Sequence, residues 1–541
     1  MSQVDDGVFL FSSLEGLPDT YFSGYCFVGA DFVCGEQGAR QYTRATGNSI
    51  EAGEDGCYLV IRKRGLCHVI GTDFKGYKKL FYFQRDGVWA ISNSIPRLAT
   101  FLRGKGVGLT PRPAQLCGWY MKGKFGHQLS SFDTVISEIK LLPSFQHIEV
   151  HRDGLHFVSR PPRPRRAYDE ALRHYLDVWV RRVEGVLADG RITLRVDLSG
   201  GRDSRAVFAL FLHAMNRLGN QSPDNLVIQS SQKARYEADF RAAQSIAGHY
   251  RAPLNGEVRP SSLGSPLGVE ESYARWRDLF LGQYGPVYFP GREISSTFIG
   301  FGGGGGAASR PVYKLMEPGE FLEKRARQIP STDGLVREWI DDSLTAFSVL
   351  ETSAPGAGSV HPMILIYREF RERFHAGRRG QTGVFIQPGG SLMVDCSAAM
   401  DQRLMEAEQL NFDIMENLVP GLSTFPYDSK EKIPSRLNLR SITKIELPSA
   451  PQPGNVYISP PDVGLDRRRA STAELLQMLS DDLDEYLTTS VTDLFPDWYV
   501  ERAQTLLYKA IRNGGFERAK DGKPAFHLLL AAFMSASTRT H

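Results

Sequence analysis

The residues with the clearest chemical potential in this chain are those of "SGGRDS", which begins at Ser199. Two consecutive glycines between a strand pattern and a helix pattern leave backbone N–H groups free at the positive end of a helix dipole, which favours phosphate. The amides of Gly200 and Gly201 and the hydroxyls of Ser199 and Ser204 are donors, and the Asp203 carboxylate suits a magnesium ion on phosphate oxygens. These residues predict a phosphate-binding loop.

The loop follows neither of two common phosphate-binding patterns, because it lacks the lysine of GxxxxGK[ST] and the spacing of GxGxxG. The alternative is an ordinary strand-to-helix turn with a capping serine. We favour the phosphate loop because all six residues lie between a clean strand pattern and a clean helix pattern.

Alternating strand and helix patterns must position this loop. "ITLRVDL" precedes it, and "NLVIQSS" followed by "RYEADFRAAQSIAGHY" repeats the cycle of strand and helix. The helix after the loop has an apolar face formed by Ala206, Val207, Leu210, Phe211, Ala214, Met215 and Leu218. This alternation is typical of a parallel sheet, which binds ligands at the carboxyl ends of its strands.

A third strand pattern, "SSTFIGF", ends in a run of glycines from Gly302 to Gly306. Such a run is usually a flexible linker. Because this one directly follows an apolar strand and precedes "AASRPVY" instead of a polar tract, we expect a site loop in which Gly302 and Gly303 contact the cofactor.

The chain of 541 residues is too long for one hydrophobic core, which predicts two domains, or three with a subdivided C-terminal half. Residues 1–159 alternate β-rich runs with turns, including Asp-Gly pairs at Asp86 and Asp153, and predict hairpins in antiparallel sheet. "RPPRPRR" is expected to be a solvated connector. Residues 167–541 predict an α/β domain with a parallel sheet, a first helix from Tyr168 and a mostly helical C-terminal part.

The composition argues against several functional classes. The net charge of +3, with both signs interspersed, does not favour nucleic acid as a partner. Six scattered cysteines without a CxxC pair and twelve histidines without HExxH favour neither zinc nor disulfides. The acidic N-terminus and the lack of an apolar run of about 20 residues predict a cytoplasmic chain without a membrane partner. A homodimer is left open.

"LSGGRDS" resembles the pyrophosphate loop of the N-type ATP pyrophosphatases, and the chain is similar in layout to the asparagine synthetase family. In that family a β-rich glutaminase domain, an N-terminal-nucleophile hydrolase fold, precedes the synthetase domain. "GTDFKGYKKLFYFQRDGVWAISNS" resembles a glutaminase-domain segment of the family, with Asp73, Gly76, Leu80 and Phe81 in register. "LLPSFQHIEV", "RYEADFRAAQSIAGHY" and "IGFGGGGGAASR" occupy the places of three further family segments, so the similarity covers most of the chain.

The resemblance implies an ATP-dependent, AMP-forming amide ligase. ATP would bind with its pyrophosphate in the loop and magnesium on Asp203, and a carboxylate would form an acyl-adenylate that ammonia or an amine then opens. Ser230 and Ser231 would lie near the adenosine. Lys430, Lys432 and Lys444 are candidates for the catalytic lysine that stabilises the adenylate.

The sequence departs from the family at three positions. Ser2 replaces the cysteine nucleophile, so the N-terminal domain is expected to be a retained scaffold, with a glutamine-hydrolysing asparagine synthase as the alternative. Phe301 stands where β-lactam synthetases have a tyrosine, which favours intermolecular amidation. Glycines from Gly303 to Gly306 replace the second magnesium ligand, and this keeps a catalytically silent nucleotide-binding or scaffold homologue as a further alternative.

"REFRERFHAGRRG" concentrates cations that include Arg368, Arg371, Arg373 and His375. One interpretation is a solvated basic helix face. The other is a clamp for an acidic substrate, since arginine binds carboxylate and phosphate through its planar fork. A clamp of this kind suits a sugar acid or a nucleotide-linked uronic acid, and hence amidation in surface-polysaccharide or natural-product biosynthesis.

Overall fold

A computed structural model describes residues 7–220, 223–329, 331–458, 468–487 and 495–537. Its strands lie at β1 (Leu10–Ser12), β2 (Thr20–Val28), β3 (Asp31–Cys34), β4 (Asp55–Arg64), β5 (Cys67–Thr72), β6 (Phe81–Arg85), β7 (Val88–Ser92), β8 (Lys140–Leu141), β9 (Gln146–His151), β10 (Gly154–Ser159), β11 (Thr193–Asp197), β12 (Leu226–Gln229), β13 (Phe298–Phe301), β14 (Val384–Ile386) and β15 (Val456–Ile458).

The helices lie at α1 (Gly35–Thr46), α2 (Ile95–Gly104), α3 (Pro113–Cys117), α4 (Tyr168–Ala188), α5 (Arg202–Arg217), α6 (Glu237–His249), α7 (Val269–Phe280), α8 (Pro318–Ala326), α9 (Asp333–Ser353), α10 (Pro362–Ile366), α11 (Arg373–His375), α12 (Arg378–Gln381), α13 (Ser391–Ala399), α14 (Gln402–Glu406), α15 (Gln409–Leu418), α16 (Arg436–Arg440), α17 (Thr472–Leu487), α18 (Asp497–Arg512) and α19 (Lys523–Ser537).

The N-terminal part contains two sheets, a four-stranded one in the order β1-β7-β6-β8 and a seven-stranded one in the order β10-β9-β5-β4-β2-β3-β15. Their neighbouring strands are antiparallel except at β15. Both Asp-Gly hairpins are confirmed. Asp86 and Gly87 adopt φ angles of 51° and 76°, the left-handed conformation that a tight turn between β6 and β7 requires.

Strand β15 comes from the second half of the chain and pairs in parallel with β3 at the edge of the seven-stranded sheet. It lies in the proline-rich interruption "PSAPQPGNVYISPPDVG", for which the sequence predicts no strand. The sheet of the N-terminal part is therefore completed by residues that lie 424 positions after their partners in β3.

The second sheet type is the predicted parallel one, with the order β12-β11-β13-β14. Strands β11, β12 and β13 match the three predicted strand patterns, and the predicted apolar face of α5 is buried except at Leu218, which is partly exposed. Strand β14 was not predicted, because a buried run of three residues lacks periodicity. The described parts of the C-terminal region are mostly helical, as predicted.

The connector after Ser159 has no regular secondary structure, and its prolines and Arg165 are exposed as predicted, but its other arginines bind the rest of the chain. Arg163 forms a bidentate pair with Asp395 at 2.9 and 2.8 Å, and Arg160 donates to the carbonyl of Phe74 at 3.1 Å. The arginines that the sequence places among prolines therefore attach the connector to both halves of the chain.

Two further features concern the chain as a whole. Within the described residues no helix is both long and apolar enough to cross a membrane. All six cysteines are free thiols, and five of them are buried.

Candidate functional site

The loop "SGGRDS" lies at the carboxyl edge of the parallel sheet, between the end of β11 and the start of α5. Its serines hold it closed. The Ser204 hydroxyl accepts from the amide of Ser199 at 3.1 Å and lies 2.9 Å from the Ser199 hydroxyl, which accepts from the amide of Gly201 at 3.1 Å. The predicted phosphate donors thus form a compact, preorganised turn at a helix N-terminus.

A second segment, residues 425–432, crosses this loop. Arg202 donates to the carbonyl of Lys432 at 2.8 Å, and Arg205 donates to that of Phe425 at 2.9 Å. A Cβ atom on Gly200 would lie 2.5 Å from the Cβ of Asp428, so only glycine fits beneath the segment.

The crossing segment brings a lysine to the loop. The Nζ atom of Lys432 lies 4.0 Å from the position of a Cβ on Gly201, and it donates to both carboxylate oxygens of Asp428, at 2.8 and 2.6 Å. Lys430 and Lys444 are exposed. Of the three lysines proposed from the sequence, Lys432 is the one that reaches the loop.

Asp203, in the first turn of α5, is held by a partner that the sequence did not indicate. Arg310 donates to its two carboxylate oxygens at 2.7 and 2.8 Å, and Asn411 donates to one of them at 2.9 Å. Burial by itself would raise the pKa of Asp203, but the charge and hydrogen bonds of Arg310 and the Asn411 amide lower it below its usual value. Asp203 is therefore an ionised carboxylate with a fixed cation beside it.

Arg310 also joins the pair to a wider network. Glu408, which has a left-handed φ of 58°, contacts Arg310 at 3.3 Å and Arg202 at 3.1 Å. Two carboxylates and two guanidinium groups alternate here, so their charges cancel. Arg310 follows the glycine run by four residues, but no local pattern links it to Asp203, which is 107 residues away in the chain.

The glycine run packs against the start of α5 and is not a flexible linker. A Cβ on Gly303 would lie 2.6 Å from the amide nitrogen of Ser204, and one on Gly306 would lie 2.6 Å from the Oδ1 atom of Asp203. The Gly302 amide donates to the carbonyl of Ile386 at 3.2 Å, extending the pairing of β13 with β14. The backbone of the glycine run therefore packs directly against the predicted site, with no room for side chains at Gly303 and Gly306.

The donors at this site do not fit a magnesium ion. Both oxygens of Asp203 are occupied by Arg310, and the glycine run brings no second carboxylate. In the described ranges, the group of three potential metal ligands within 4.8 Å of one another is Cys67, Glu149 and His151, which lie in and beside β5 and β9.

The remaining residues proposed for the nucleotide lie nearby or outside the described part. The amide of Ser230, one residue beyond β12, donates to the Asn255 side chain at 2.8 Å, while its buried hydroxyl has no partner. Ser231 is exposed. Phe301 is fully buried against Phe211. Ser2 lies outside the described residues.

The segment around Arg368 is buried, so it is not a solvated helix face. Residues Tyr367–Glu372 form a π-helical turn, and Arg368 donates to the Ala308 carbonyl at 2.9 Å. Arg373 is 1% exposed and donates to the carbonyls of Gly76 and Leu142, at 2.9 Å each. Arg373, which also donates to Glu369, is saturated by protein partners, whereas the buried Nη1 atom of Arg368 has no partner.

Arg371 and His375 have no acidic partner within the segment, because its two glutamates bind other residues. Glu372 accepts from Lys75 at 3.1 Å, and Glu369 accepts from the Ser144 amide at 2.9 Å. These contacts join the segment to the N-terminal part. They leave Arg371 without a carboxylate partner among the described residues.

The chain matches no model of a known protein family and no curated protein sequence. The resemblance to the asparagine synthetase family therefore rests on the motifs quoted above.

Proposed function

We propose that this chain binds ATP with its pyrophosphate at the loop Ser199–Ser204 and is an AMP-forming amide ligase of the asparagine synthetase type. In this proposal the N-terminal part is a degenerate glutaminase-like domain, and the parallel-sheet part is a cytoplasmic ATP-pyrophosphatase domain. The substrate carboxylate attacks the α-phosphorus, pyrophosphate leaves, and ammonia or an amine then displaces AMP from the acyl-adenylate.

The position of Lys432 carries the proposal. A phosphate loop of the GxxxxGK type has its lysine in the loop itself, whereas "SGGRDS" has none. Tertiary structure brings Lys432 to the loop from 230 residues further along the chain, where Arg202 holds its carbonyl. Exchange of Asp428 for a phosphate oxygen would place the lysine's charge on the leaving pyrophosphate, where such a charge stabilises the transition state.

The other polar groups of the site bind and orient ATP in this proposal. The first-turn amides of α5 and the hydroxyls of Ser199 and Ser204 donate to phosphate, and the unpartnered Ser230 hydroxyl is available to the nucleoside. Arg310 supplies a fixed positive charge at the position where the family is expected to use a metal. Because this charge is already paired with Asp203, its effect on phosphate is smaller than that of a free cation.

One observation favours a second candidate, a catalytically silent nucleotide-binding homologue. The amide of Gly200 donates to the carboxylate of Asp239 at 3.1 Å, so a protein anion lies where a phosphate would bind. Together with the Asp203–Arg310 pair, this arrangement closes the loop without a ligand.

Release of pyrophosphate from ATP separates the two candidates. Purified chain is incubated with ATP, ammonium and a pool of carboxylates, and ATP binding is measured in parallel with and without EDTA. Pyrophosphate release that is lost in Lys432→Gln and retained in Lys430→Gln supports the ligase. Binding of ATP without release supports the silent homologue, and no binding of ATP contradicts both.

A further inference from the structure

A group of lysine, arginine and histidine side chains with no carboxylate among them lies beside the Asp203–Arg310 pair. We call it the basic cluster. It combines side chains from the loop after α3, from the segment that contains α11 and α12, and from the start of α19, namely Lys124, His127, Arg371, His375, Arg378 and Lys523.

Arg371 is a buried member of the basic cluster. It is 5% exposed, and its Nη1 atom lies 3.2 Å from the Gln128 side-chain oxygen and 3.4 Å from a ring nitrogen of His127. Among the described residues no carboxylate oxygen lies within 4.0 Å of any cation of the cluster. A buried guanidinium without a counter-ion is costly, and an anion bound to Arg371 would offset that cost.

The two histidines of the basic cluster have lowered pKa values, in part because the neighbouring charges are positive. Burial, followed by the charges of Arg371 and Arg378, lowers the pKa of His375 to about 2. Burial, followed by the charges of Lys523 and Arg371, lowers the pKa of His127 to about 3. Both rings are therefore neutral at physiological pH, and they offer hydrogen-bonding nitrogens inside a positive field.

Aromatic surface and unused hydrogen-bonding atoms accompany the charges. The guanidinium of Arg378 lies 3.6 Å from the ring centre of Tyr288, which is 37% exposed and parallel to the buried Tyr284. The Nε atom of Arg378 and the hydroxyl of Tyr313 are buried without a partner. Arg378 covers one face of the Tyr288 ring, and the exposed part of this ring suits the apolar face of a ligand ring that has a polar rim.

The basic cluster adjoins the proposed ATP site. After burial, the charges of Arg371 and Arg310 both lower the pKa of Lys124. Arg310 is the residue that pairs with Asp203 in the first turn of α5. Lys124 is therefore within electrostatic range of both the basic cluster and the Asp203–Arg310 pair.

We propose that the basic cluster binds an acidic sugar, with its anionic group on Arg371 and its ring against Tyr288. The anionic group is a carboxylate, as in a uronate, or a phosphate, because the arginine fork accepts either. The role of this sugar as the substrate to be activated rests on the proposed function, whereas its binding does not.

Calorimetric titration of the full chain at neutral pH, in the absence of ATP, tests the binding. Glucuronate and glucose 1-phosphate are the probes, and neutral glucose is the uncharged reference. We expect saturable binding of an acidic probe and none of glucose. Binding of glucuronate alone assigns a carboxylate, binding of glucose 1-phosphate alone assigns a phosphate, and binding of neither overturns the proposal.

Variants locate the site. Arg371→Gln and Lys124→Gln are expected to weaken binding of the acidic probe about tenfold or more, since each removes a charged hydrogen-bond donor. Lys122→Gln is the matched control, because Lys122 is an exposed lysine of the same loop. If Arg371→Gln is insoluble, Arg378→Gln takes its place. Equal affinity in the cluster variants and in the control would place the ligand elsewhere and overturn the proposal.

The two proposals fail separately. An acidic sugar that binds a chain showing neither ATP binding nor pyrophosphate release leaves the basic cluster in place and removes the ligase. Pyrophosphate release with a carboxylate pool, in a chain that binds no acidic sugar, removes the cluster as the substrate site and leaves the ligase.

Discussion

Arginines are used in opposite ways in two adjoining regions of this protein. At the loop, Arg310 and Arg202 alternate with Asp203 and Glu408, and every charge has a partner from the chain itself. In the basic cluster, Arg371 is more deeply buried than Arg310, yet its protein partners are a neutral amide and a neutral ring. Charge pairing at the loop therefore belongs to the fold, whereas the unpaired charge of Arg371 in the basic cluster is available to a ligand.

The largest expected effect on stability follows from breaking the Asp203–Arg310 ion pair. Asp203→Asn leaves Arg310 with the longer contact to Glu408, and Arg310→Gln leaves the part-buried Asp203 without its paired cation, so we expect each to cost about 2 to 3 kcal/mol of unfolding free energy. The double variant should be less destabilised than the sum of the two. Urea denaturation measures all three, with Arg40→Gln of the exposed Glu36–Arg40 pair as the control. Losses no larger than that of the control would show that the pair is not structural.

The next effect concerns the backbone that packs against Asp203. Gly303→Ala would push its Cβ into the amide of Ser204, and we expect a loss of about 1 to 3 kcal/mol. Gly319→Ala, in the first turn of α8, meets nothing within 4 Å and serves as the control. Equal melting temperatures for the two variants would mean that the glycine run is loosely packed.

The dependence of stability on pH sharpens the description of the basic cluster. Burial lowers the pKa of Lys523 to about 7, while a lysine in the unfolded chain titrates near about 10.4. Between these values the unfolded chain holds a proton that the folded chain has lost, so stability rises with pH, by at most about 1.4 kcal/mol per unit.

Denaturant midpoints at pH values across this window, compared between the wild type and Lys523→Met, check the prediction. The variant should lose this part of the increase. A difference between wild type and variant that stays constant with pH would show that Lys523 remains protonated in the folded protein.

The smallest expected effect is opposite in sign to the largest. Arg371→Gln removes a buried charge that has no counter-ion, and we expect an unfolding free energy that is unchanged or higher by about 1 kcal/mol. Urea denaturation in ligand-free buffer measures this unfolding free energy. A loss as large as that of Asp203→Asn would show that Arg371 is as fully integrated into the fold as Arg310.

Local patterns of the sequence were sufficient for much of the architecture. The Asp-Gly hairpins, helix α4, the parallel strands β11 to β13 and the position of "SGGRDS" at a strand end all depend on neighbouring residues. Strand β14 and the edge strand β15 were missed, because runs of three residues have no readable period and their pairing partners are distant.

Local sequence patterns are enough to predict a phosphate-type loop before α5, glycines after β13 and a concentration of cations near Arg368. Three features follow from tertiary packing alone: Arg310 pairs with Asp203, Lys432 reaches the loop, and Arg373 is saturated by protein partners while Arg371 has no carboxylate partner among the described residues. The physical reason is separation along the chain. Helix and strand periodicity is set within a few residues, whereas the pairing of charges depends on which segments, here more than 100 residues apart, pack against one another.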